Sequence, residues 1–261
     1  MTYNIKISIV TICKNAKLII EKTLKSVVAQ SFDNYEYIIQ DGLSNDNTLE
    51  IVKKYQRNNM YIYSEKDEGI YDAMNKAVTH CKGEWIIFMN AGDIFYNENV
   101  LSDIFSRKID GEAKIIYGHT MYCFESKFSI ISNHNIQFLN REVCYCHQSI
   151  LAKRELLMKN AFNTKYSILA DYEWLIRMWI SGIQFKQVNC IISKYMRNGL
   201  SAKAMLKTSQ EETEIHNLYF PDNKKRTKFI RIFLKEQLAK KFPKLSEISF
   251  CYKQMKRIYK Y

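Results

Sequence analysis

The chain has 261 residues, of which 47% are hydrophobic and 13% aromatic, and this composition excludes an intrinsically disordered protein. Its net charge of +12 is uneven, because residues 202–261 contain 15 Lys and Arg against 6 Asp and Glu while residues 1–201 are nearly neutral. No apolar run approaches the roughly 20 residues of a membrane-spanning helix, so a soluble or peripheral protein is expected.

Seven cysteines are scattered along the chain. An odd number without regular spacing is typical of free thiols in a reducing compartment and not of a disulfide framework. With only 2 prolines and 8 glycines, the sequence has little material for flexible linkers. We therefore expect a folded, cytoplasmic protein.

Strand and helix patterns alternate over the first 95 residues. Runs rich in β-branched and aromatic residues indicate strands, and apolar residues that repeat on one face indicate helices. Ser44 or Asp46 is a candidate N-cap of the second helix. Short connections between alternating elements predict right-handed crossovers and a parallel sheet covered on both faces. The predicted strands are residues 5–12, 35–40, 60–64 and 84–89, and the predicted helices are residues 17–30, 49–55 and 70–80.

The pattern is weaker in the second half of the chain. A helix at residues 171–181 is expected to face a core through Trp174, Leu175, Met178 and Trp179. Beyond residue 203 the sequence is helical and strongly basic. The other predicted elements are helices at residues 100–105 and 154–158, a strand at residues 114–118, and two strands at residues 185–188 and 191–195 on either side of Asn189.

Three aspartates, Asp41, Asp67 and Asp93, lie at or just after predicted strand ends. In a parallel α/β sheet, ligands bind outside the carboxyl ends of the strands. Each aspartate alone could be a loop-forming or helix-capping residue, but three around one crevice favour a ligand site. Mg²⁺ and Mn²⁺ accept few protein oxygens when phosphates complete their coordination. We therefore expect Asp93 to bind one of these cations.

Three other types of site receive no support from the sequence. The chain lacks both Gly-x-Gly-x-x-Gly after its first strand and Gly-x-x-x-x-Gly-Lys-Ser/Thr, so neither phosphate-binding turn is predicted. A nucleotide must then be held by carboxylates on its base or ribose and by a metal on its diphosphate. Cys144, Cys146 and His147 lie close together, but no second cluster supplies the four ligands of a closed zinc site.

Four segments resemble motifs of the family 2 glycosyltransferases, in the same order and at similar separations. They are TICKN at residues 11–15, EYIIQDGLSNDNT at 36–48, SEKDEGIYDAMNKA at 64–77 and GEWIIFMNAGD at 83–93. The resemblance extends over about 200 residues and is greatest to the bacterial polysaccharide-assembly branch. It implies an α/β protein with the nucleotide-diphospho-sugar transferase fold called GT-A, a mostly parallel central sheet flanked by helices.

The resemblance also assigns roles to individual residues. It places the metal and the sugar diphosphate at Asp93, with Asn90 beside it. Many relatives have carboxylates where this chain has Asn90 and Gly92, so Asp93 is left as the only carboxylate ligand. The residues expected at the nucleotide base are Thr11, Asn15 and Asp41, and the other donor-side residues are Asp67 and Asp72.

Two further elements of the crevice are implied by the same resemblance. His147 and Gln148 are expected on its acceptor or diphosphate side, with a partly buried, purely structural strand end as the alternative. Arg197 lies in YMRNGLS (195–201), which resembles a loop that closes over the donor. That arginine is expected to contact phosphate, unless it is a solvated surface residue.

An inverting transfer needs a carboxylate that removes the proton of the acceptor hydroxyl. Asp171 and Glu173 occur at the start of a predicted helix, where negative charge is favourable in any case. Residues two apart on a helix point about 200° from each other, so only one of them can face the crevice. The resemblance places the catalytic base on Asp171.

These observations predict a metal-dependent inverting glycosyltransferase of the hexosyl- or N-acetylhexosaminyltransferase class. The donor would be a nucleotide-diphosphate sugar, most simply UDP-linked, and the acceptor a lipid-linked glycan or other saccharide in cell-surface polysaccharide biosynthesis. Residues 1–201 would form the catalytic domain, with a nucleotide-sugar half (1–95) and an acceptor half (96–201). A nucleotidyltransferase and a non-catalytic basic module are the alternatives.

Residues 202–261 are expected to form a basic helical extension. Aromatic and aliphatic residues lie among its charges, as in helices that bind anionic lipid. This favours peripheral contact with the inner face of a bacterial membrane, with packing inside the protein or against a second subunit of a homodimer as alternatives. Nucleic acid is not expected as a partner, because the body is nearly neutral and has no nucleic-acid-binding motif.

Overall fold

The computed structural model describes residues 5–106, 111–123, 129–132, 136, 139–140, 146–196 and 204–221. Arg197 and residues 222–261, which include most of the basic extension, lie outside these ranges. The α-helices are α1 (Ile20–Val28), α2 (Thr48–Lys53), α3 (Ile70–His80), α4 (Val100–Phe105), α5 (Arg154–Lys159), α6 (Ala170–Ile180) and α7 (Met205–Tyr219). No helix within the described ranges is long and apolar enough to cross a membrane.

The strands form one mixed sheet in the order β3-β2-β1-β4-β8-β6-β9-β5, with β7 paired to β6. Strands β3, β2, β1 and β4 are parallel, as their alternation with helices predicts. Beyond β4 the directions mix, because β8 runs antiparallel to both β4 and β6. The strands are β1 (Ile7–Cys13), β2 (Tyr35–Asp41), β3 (Met60–Ser64), β4 (Trp85–Phe88), β5 (Ile94–Phe95), β6 (Ile115–Cys123), β7 (Ser129–Ser132), β8 (Ile150–Lys153) and β9 (Phe185–Met196).

Strand β1 is buried on both faces, which explains its almost uninterrupted apolar sequence. Alternate side chains enter different cores because successive residues of a strand point to opposite faces. Val10 and Ile12 pack in the core that includes residues of α3, α5 and α6. Ile7 and Ile9 pack in the core that includes residues of α1, α2 and α4.

The direction of β8 brings the second half of the chain to the site. Since β8 is antiparallel to β4, it starts at the edge of the sheet where β4 ends. A 3-10 turn, His147–Ser149, immediately precedes β8. His147 and Gln148 therefore lie beside the turn that follows β4.

Two local predictions are wrong. The strands expected on either side of Asn189 are one strand, β9, whose pairing with β6 is irregular near His119. The N-cap of α2 is Asn47 and not Ser44 or Asp46. The Asp46 carboxylate instead accepts a hydrogen bond from the backbone N–H of Thr48, at 2.9 Å.

Helix α7 begins the segment assigned to the basic extension, yet it packs on the body of the protein. Ile215 is fully buried in the core that contains α6, and Tyr219 and Phe220 pack against the same core. Aromatic contacts join Phe220 to Trp179 of α6. The part of the extension that the structure describes is thus continuous with the α/β body.

Gly83 lies where the chain enters β4 and crosses the backbone of β1. Its N–H donates to Ser8 Oγ (2.9 Å) and Glu36 Oε1 (3.0 Å). A Cβ at this position would lie 2.5 Å from the backbone nitrogen of Ser8. Only glycine fits there without moving one strand away from the other.

Gly83→Ala is expected to lower the free energy of unfolding by about 1–3 kcal/mol or more, because the added carbon overpacks two central strands. Urea unfolding followed by circular dichroism measures the change. Gly111→Ala is the control, since a Cβ at Gly111 meets nothing within 4 Å. Equal stability of the two variants would contradict this account of the β1–β4 contact.

Candidate active site

The turn after β4 is held rigidly against α1. Asp93 donates its backbone N–H to Asn90 O (2.8 Å). Gly92 has a backbone φ of +104°, which residues other than glycine rarely adopt. The hydroxyl of Thr23 donates to Asp93 O (2.7 Å) and accepts from Gly92 N (2.9 Å). Thr23 was missed in the sequence, where its only signal is a hydroxyl on the apolar face of α1.

His147 connects this turn to the start of α6. Its Nδ1 lies 3.2 Å from Asp171 Oδ2, and its Nε2 lies 3.0 Å from the side-chain nitrogen of Asn90. The same Nε2 is 3.9 Å from Asp93 Oδ2. With Nδ1–H donated to Asp171 and Nε2 accepting from Asn90, the imidazole joins two aspartates that are distant in sequence.

The Asp171 carboxylate has three hydrogen-bond donors. Oδ1 accepts from the hydroxyl of Tyr71 and from the backbone N–H of Tyr172, both at 2.8 Å, while Oδ2 accepts from His147. An ionised carboxylate offers about four lone-pair positions, so one on Oδ2 has no donor among the described residues. Tyr71 of α3 was another residue missed in the sequence, since nothing there relates it to Asp171.

Glu173 points away from Asp171, as its spacing along the helix predicts. Its side chain is only 2% exposed and pairs with Arg177 at 3.2 Å. It also accepts a hydrogen bond from Tyr219 of α7. Through these contacts Glu173 attaches α7 to α6. Asp171 is therefore the acidic residue of α6 that lies at the site.

Burial and mutual attraction shift the pKa values of the site. Burial raises the pKa of Asp93, while His147, Gln148 and Lys22 act in the opposite direction. Burial also opposes a charge on His147, but the hydrogen bond and charge of Asp171, together with the charge of Asp93, raise the pKa of this imidazole above its usual value. The protonation of His147 and that of Asp93 therefore influence each other.

The turn after β4 offers oxygen ligands of the kind that Mg²⁺ and Mn²⁺ prefer. Asp93 supplies a carboxylate, and the buried amide oxygens of Asn90 and Gln148 have no hydrogen-bond partner among the described residues. Within those residues no three His, Cys, Asp or Glu side chains are grouped to hold a metal. A cation bound here would therefore need substrate phosphates to complete its coordination.

The structure gives no support to zinc at this edge. Burial raises the pKa of Cys146 to about 12, so without a metal its sulfur is a neutral thiol. The thiol lies 3.1 Å from the hydroxyl of Tyr122. Cys144, the other cysteine of the motif, lies outside the described residues.

The loops after β1 and β2 are joined to each other at the carboxyl edge of the sheet. Asn15, at a φ of +49°, donates its N–H to Ser44 Oγ (2.8 Å), and its side-chain oxygen accepts from Asn45 N (2.9 Å). Asp67 accepts from Gly69 N at 3.1 Å and lies 3.8 Å from Lys14 Nζ. These contacts place Asn15 and Asp67 in loops at the carboxyl edge of the sheet.

Gly42 leaves the space that the Asp67 side chain occupies. A Cβ on Gly42 would lie 1.9 Å from Asp67 Oδ2. Any larger residue at position 42 would therefore displace the Asp67 carboxylate. Glycine at position 42 and aspartate at position 67 form one local arrangement.

Three residues expected at the donor have partners within the protein. Thr11 is fully buried, donates to Met89 O (2.7 Å) and lies 2.9 Å from the hydroxyl of Tyr37. Its contact with a donor stays a prediction. Asp41 is also fully buried and accepts from Ser44 N and Ser64 Oγ. Asp72 pairs with Lys76 and accepts from Glu68 N, which holds the acidic loop before α3.

A pocket with mainly apolar walls adjoins His147 and Asp171. It lies between the sheet and α6, has a volume of about 30 Å³ and is partly open to solvent. His147 and Asp171 are its titratable lining residues. The apolar lining consists of Ile86, Phe88, Ile150, Ala152, Leu157, Phe162, Trp174 and Leu175.

Comparison with known proteins identifies relatives of this chain. A model of glycosyl transferase family 2 matches residues 8–179. A PGL/p-HBAD biosynthesis glycosyltransferase of Mycobacterium tuberculosis is 26% identical over 198 residues, which cover 74% of this chain and 77% of the relative. A putative teichuronic acid biosynthesis glycosyltransferase of Bacillus subtilis is 34% identical over 90 residues, or 33% of this chain and 36% of the relative.

Solved glycosyltransferase structures share the fold. Residues 1–349 of S. aureus TarS, crystallised with UDP-GlcNAc, align with a TM-score of 0.65 and 17% identity over 77% of this chain and 61% of that TarS fragment. A mannosyltransferase of Pyrobaculum calidifontis, in complex with GDP-Man and Mn²⁺, gives a TM-score of 0.63 and 17% identity over 82% and 64% of the two chains. The expected GT-A fold is confirmed.

Asp171→Asn is expected to lower the pKa of His147, because it removes the anion that raises this value while burial remains. The measurement is a pH titration of the His147 Cε1–H signal by NMR, assigned with His147→Gln. Asp103→Asn, an exposed change on α4, is the control and should leave the His147 titration unaltered. An unchanged or higher pKa in Asp171→Asn would contradict the described pairing.

Proposed function

Because the chain belongs to glycosyl transferase family 2, we propose that it transfers a sugar from a nucleotide-diphosphate sugar to a saccharide hydroxyl, with inversion at the anomeric carbon. The observation that carries this proposal is the meeting of Asp93 and Asp171 at His147, on the edge of the sheet where ligands bind. Family membership leaves no support for the nucleotidyltransferase and the non-catalytic module considered above.

The donor half of the site is proposed to hold the nucleotide diphosphate. Asp93, with the free amide oxygens of Asn90 and Gln148, would bind Mg²⁺ or Mn²⁺. When bound, the cation would offset the negative charge that develops on the leaving diphosphate. The complexes of TarS with UDP-GlcNAc and of the mannosyltransferase with GDP-Man and Mn²⁺ support a donor of this class. We favour a UDP-linked hexose or N-acetylhexosamine.

The outer donor contacts are proposed from the loops. Asn15 and Asp67 lie in loops at this edge and would line the nucleotide. Asp41 would support the base from beneath, since a direct contact would require it to exchange its hydrogen bonds with Ser44 and Ser64. Arg197, which is outside the described residues, is proposed as a phosphate contact on sequence grounds.

Asp171 is the proposed general base. The acceptor oxygen forms a bond to the anomeric carbon as the bond from that carbon to the diphosphate oxygen breaks, and the nucleoside diphosphate leaves with the electron pair. The hydroxyl proton passes to the lone pair of Asp171 Oδ2 that no described protein group occupies. Tyr71 and His147 hold the carboxylate in place.

The acceptor is proposed to be lipid-linked or part of a cell-surface glycan. The relatives in PGL/p-HBAD biosynthesis and, as a putative assignment, in teichuronic acid biosynthesis support acceptors of this kind. The apolar pocket beside Asp171 would border the acceptor. Residues 222–261, which follow α7, contain 13 Lys and Arg against 3 Asp and Glu and would contact anionic lipid at the inner face of the membrane.

Asp93→Asn is expected to abolish Mn²⁺-dependent donor binding, since it keeps the side-chain size but removes the charge. Thermal unfolding is measured with UDP-, GDP-, dTDP- and CMP-sugars, with and without Mn²⁺. A donor at about a hundredfold excess over its Kd stabilises a folded protein by about 2.7 kcal/mol. Asp103→Asn should retain this shift. A Mn²⁺-dependent shift in Asp93→Asn equal to that of the parent, or no shift of the parent with any donor, would contradict the proposal.

Asp171→Asn is expected to bind UDP and Mn²⁺ normally but to lower turnover by about 10²–10⁴-fold, because the amide cannot accept the proton. Turnover is followed as UDP released from UDP-glucose or UDP-N-acetylglucosamine, with a detergent extract of bacterial lipid-linked saccharides as acceptor. Asp103→Asn is again the matched control. Near-normal turnover of Asp171→Asn would show that Asp171 is not the base.

A further inference from the structure

A buried glutamate on α7 binds the backbone just before α6. Glu211 is 6% exposed, and its two carboxylate oxygens face residues 167–169. Oε1 accepts from Ser167 N (2.9 Å) and Ser167 Oγ (3.1 Å). Oε2 accepts from Ile168 N (3.0 Å) and Leu169 N (2.9 Å). All four lone-pair positions of the carboxylate are therefore used.

These hydrogen bonds fix the backbone of the segment that leads into α6. The N–H groups at residues 167–169 precede α6, where the helix cannot satisfy them itself. A carboxylate accepting three successive N–H groups is a strong, directional contact, and the positive end of the α6 dipole favours its charge. Since Asp171 is the second residue of α6, Glu211 determines where that helix begins.

The opposite side of the same segment is held by Tyr71. Its hydroxyl lies 2.7 Å from Ile168 O and 2.8 Å from Asp171 Oδ1, and it directs its single hydrogen toward these two acceptors. Glu211 therefore holds the N–H groups of the segment while Tyr71 holds a carbonyl and the Asp171 carboxylate. A shift of residues 167–169 would move Asp171 relative to both Tyr71 and His147.

Helix α7 is itself firmly attached, so Glu211 is a fixed support. Ile215 is fully buried, and His216 Nε2 lies 2.9 Å from the hydroxyl of Tyr172. That hydroxyl donates to Leu139 O at 2.6 Å, so His216 is the donor in its contact with Tyr172. The residue directly after Asp171 is thus also held by α7.

We propose that Glu211 is a positioning residue for sugar transfer. It holds residues 167–169 so that Asp171 keeps its contact with His147 and presents the remaining lone pair of Oδ2 to the acceptor. The inference rests on the proposed role of Asp171 as the base. Helix α7 would therefore support the active site, although it lies in the basic extension of the sequence.

The test compares Glu211→Gln with Glu214→Gln, an exposed change one turn along the same helix. Glu211→Gln retains one acceptor oxygen and places an NH₂ group against backbone N–H donors. Since a displacement near 1 Å can lower a rate by about 10²-fold, we expect kcat to fall by about that factor while the KM for UDP-glucose and the binding of UDP with Mn²⁺ stay unchanged. Glu214→Gln should keep full turnover.

Two further measurements separate positioning from general stability. Hydrogen exchange should accelerate at residues 167–169 in Glu211→Gln without loss of protection in β1 and β4. In an Asp171→Asn background, Glu211→Gln should lower kcat no further, because both changes act on one carboxylate. Glu211→Asp, which keeps the charge on a shorter side chain, should give an intermediate kcat. It replaces Glu211→Gln as the test variant if Glu211→Gln fails to fold.

Two outcomes would overturn the inference for different reasons. Normal kcat in Glu211→Gln, together with lost turnover in Asp171→Asn, would show that Glu211 only stabilises the fold. A further loss of kcat when Glu211→Gln is added to Asp171→Asn would also show that Glu211 only stabilises the fold. Normal turnover in Asp171→Asn would overturn the proposed base and this inference with it.

Discussion

The hydrogen bond between His147 and Asp171 joins the two halves of the crevice. His147 reaches the site because β8 runs antiparallel to β4, and Asp171 reaches it because α6 starts at the same edge. On its other side the imidazole contacts Asn90 and lies near Asp93. Displacing this one side chain would separate the donor-side carboxylate from the proposed base.

The cost of burying charge explains much of the local arrangement. A carboxylate removed from water must be paired or hydrogen-bonded, or its pKa rises. Asp171 and Glu211 each accept several hydrogen bonds. Burial raises the pKa of Asp93. Asn90 adds a neutral amide where a second carboxylate would repel Asp93. The site therefore concentrates its unbalanced negative charge at Asp93, where a cation would be most favourable.

Much of the first half of the fold could be predicted from the sequence, because its signals are local. Alternating apolar strands and amphipathic helices predict β1 to β4, and strand ends mark Asp67 and Asp93. The spacing of Asp171 and Glu173 also predicts that only one of them faces the crevice. The mixed strands beyond β4 were less visible, since β5 and β8 are short and depend on partners distant in sequence.

By itself, the sequence determined the parallel half of the sheet, the family resemblance and the two aspartates on which the proposed chemistry depends. Only the tertiary structure decided which polar groups face the crevice and which support it. It buries Thr11 and Asp41 beneath the loops and brings Thr23, Tyr71 and Glu211 to the turn and the helix that carry Asp93 and Asp171. The reason is physical: periodicity reports the face of one element, whereas a buried hydrogen bond requires two elements whose distance and direction are set only when the chain packs.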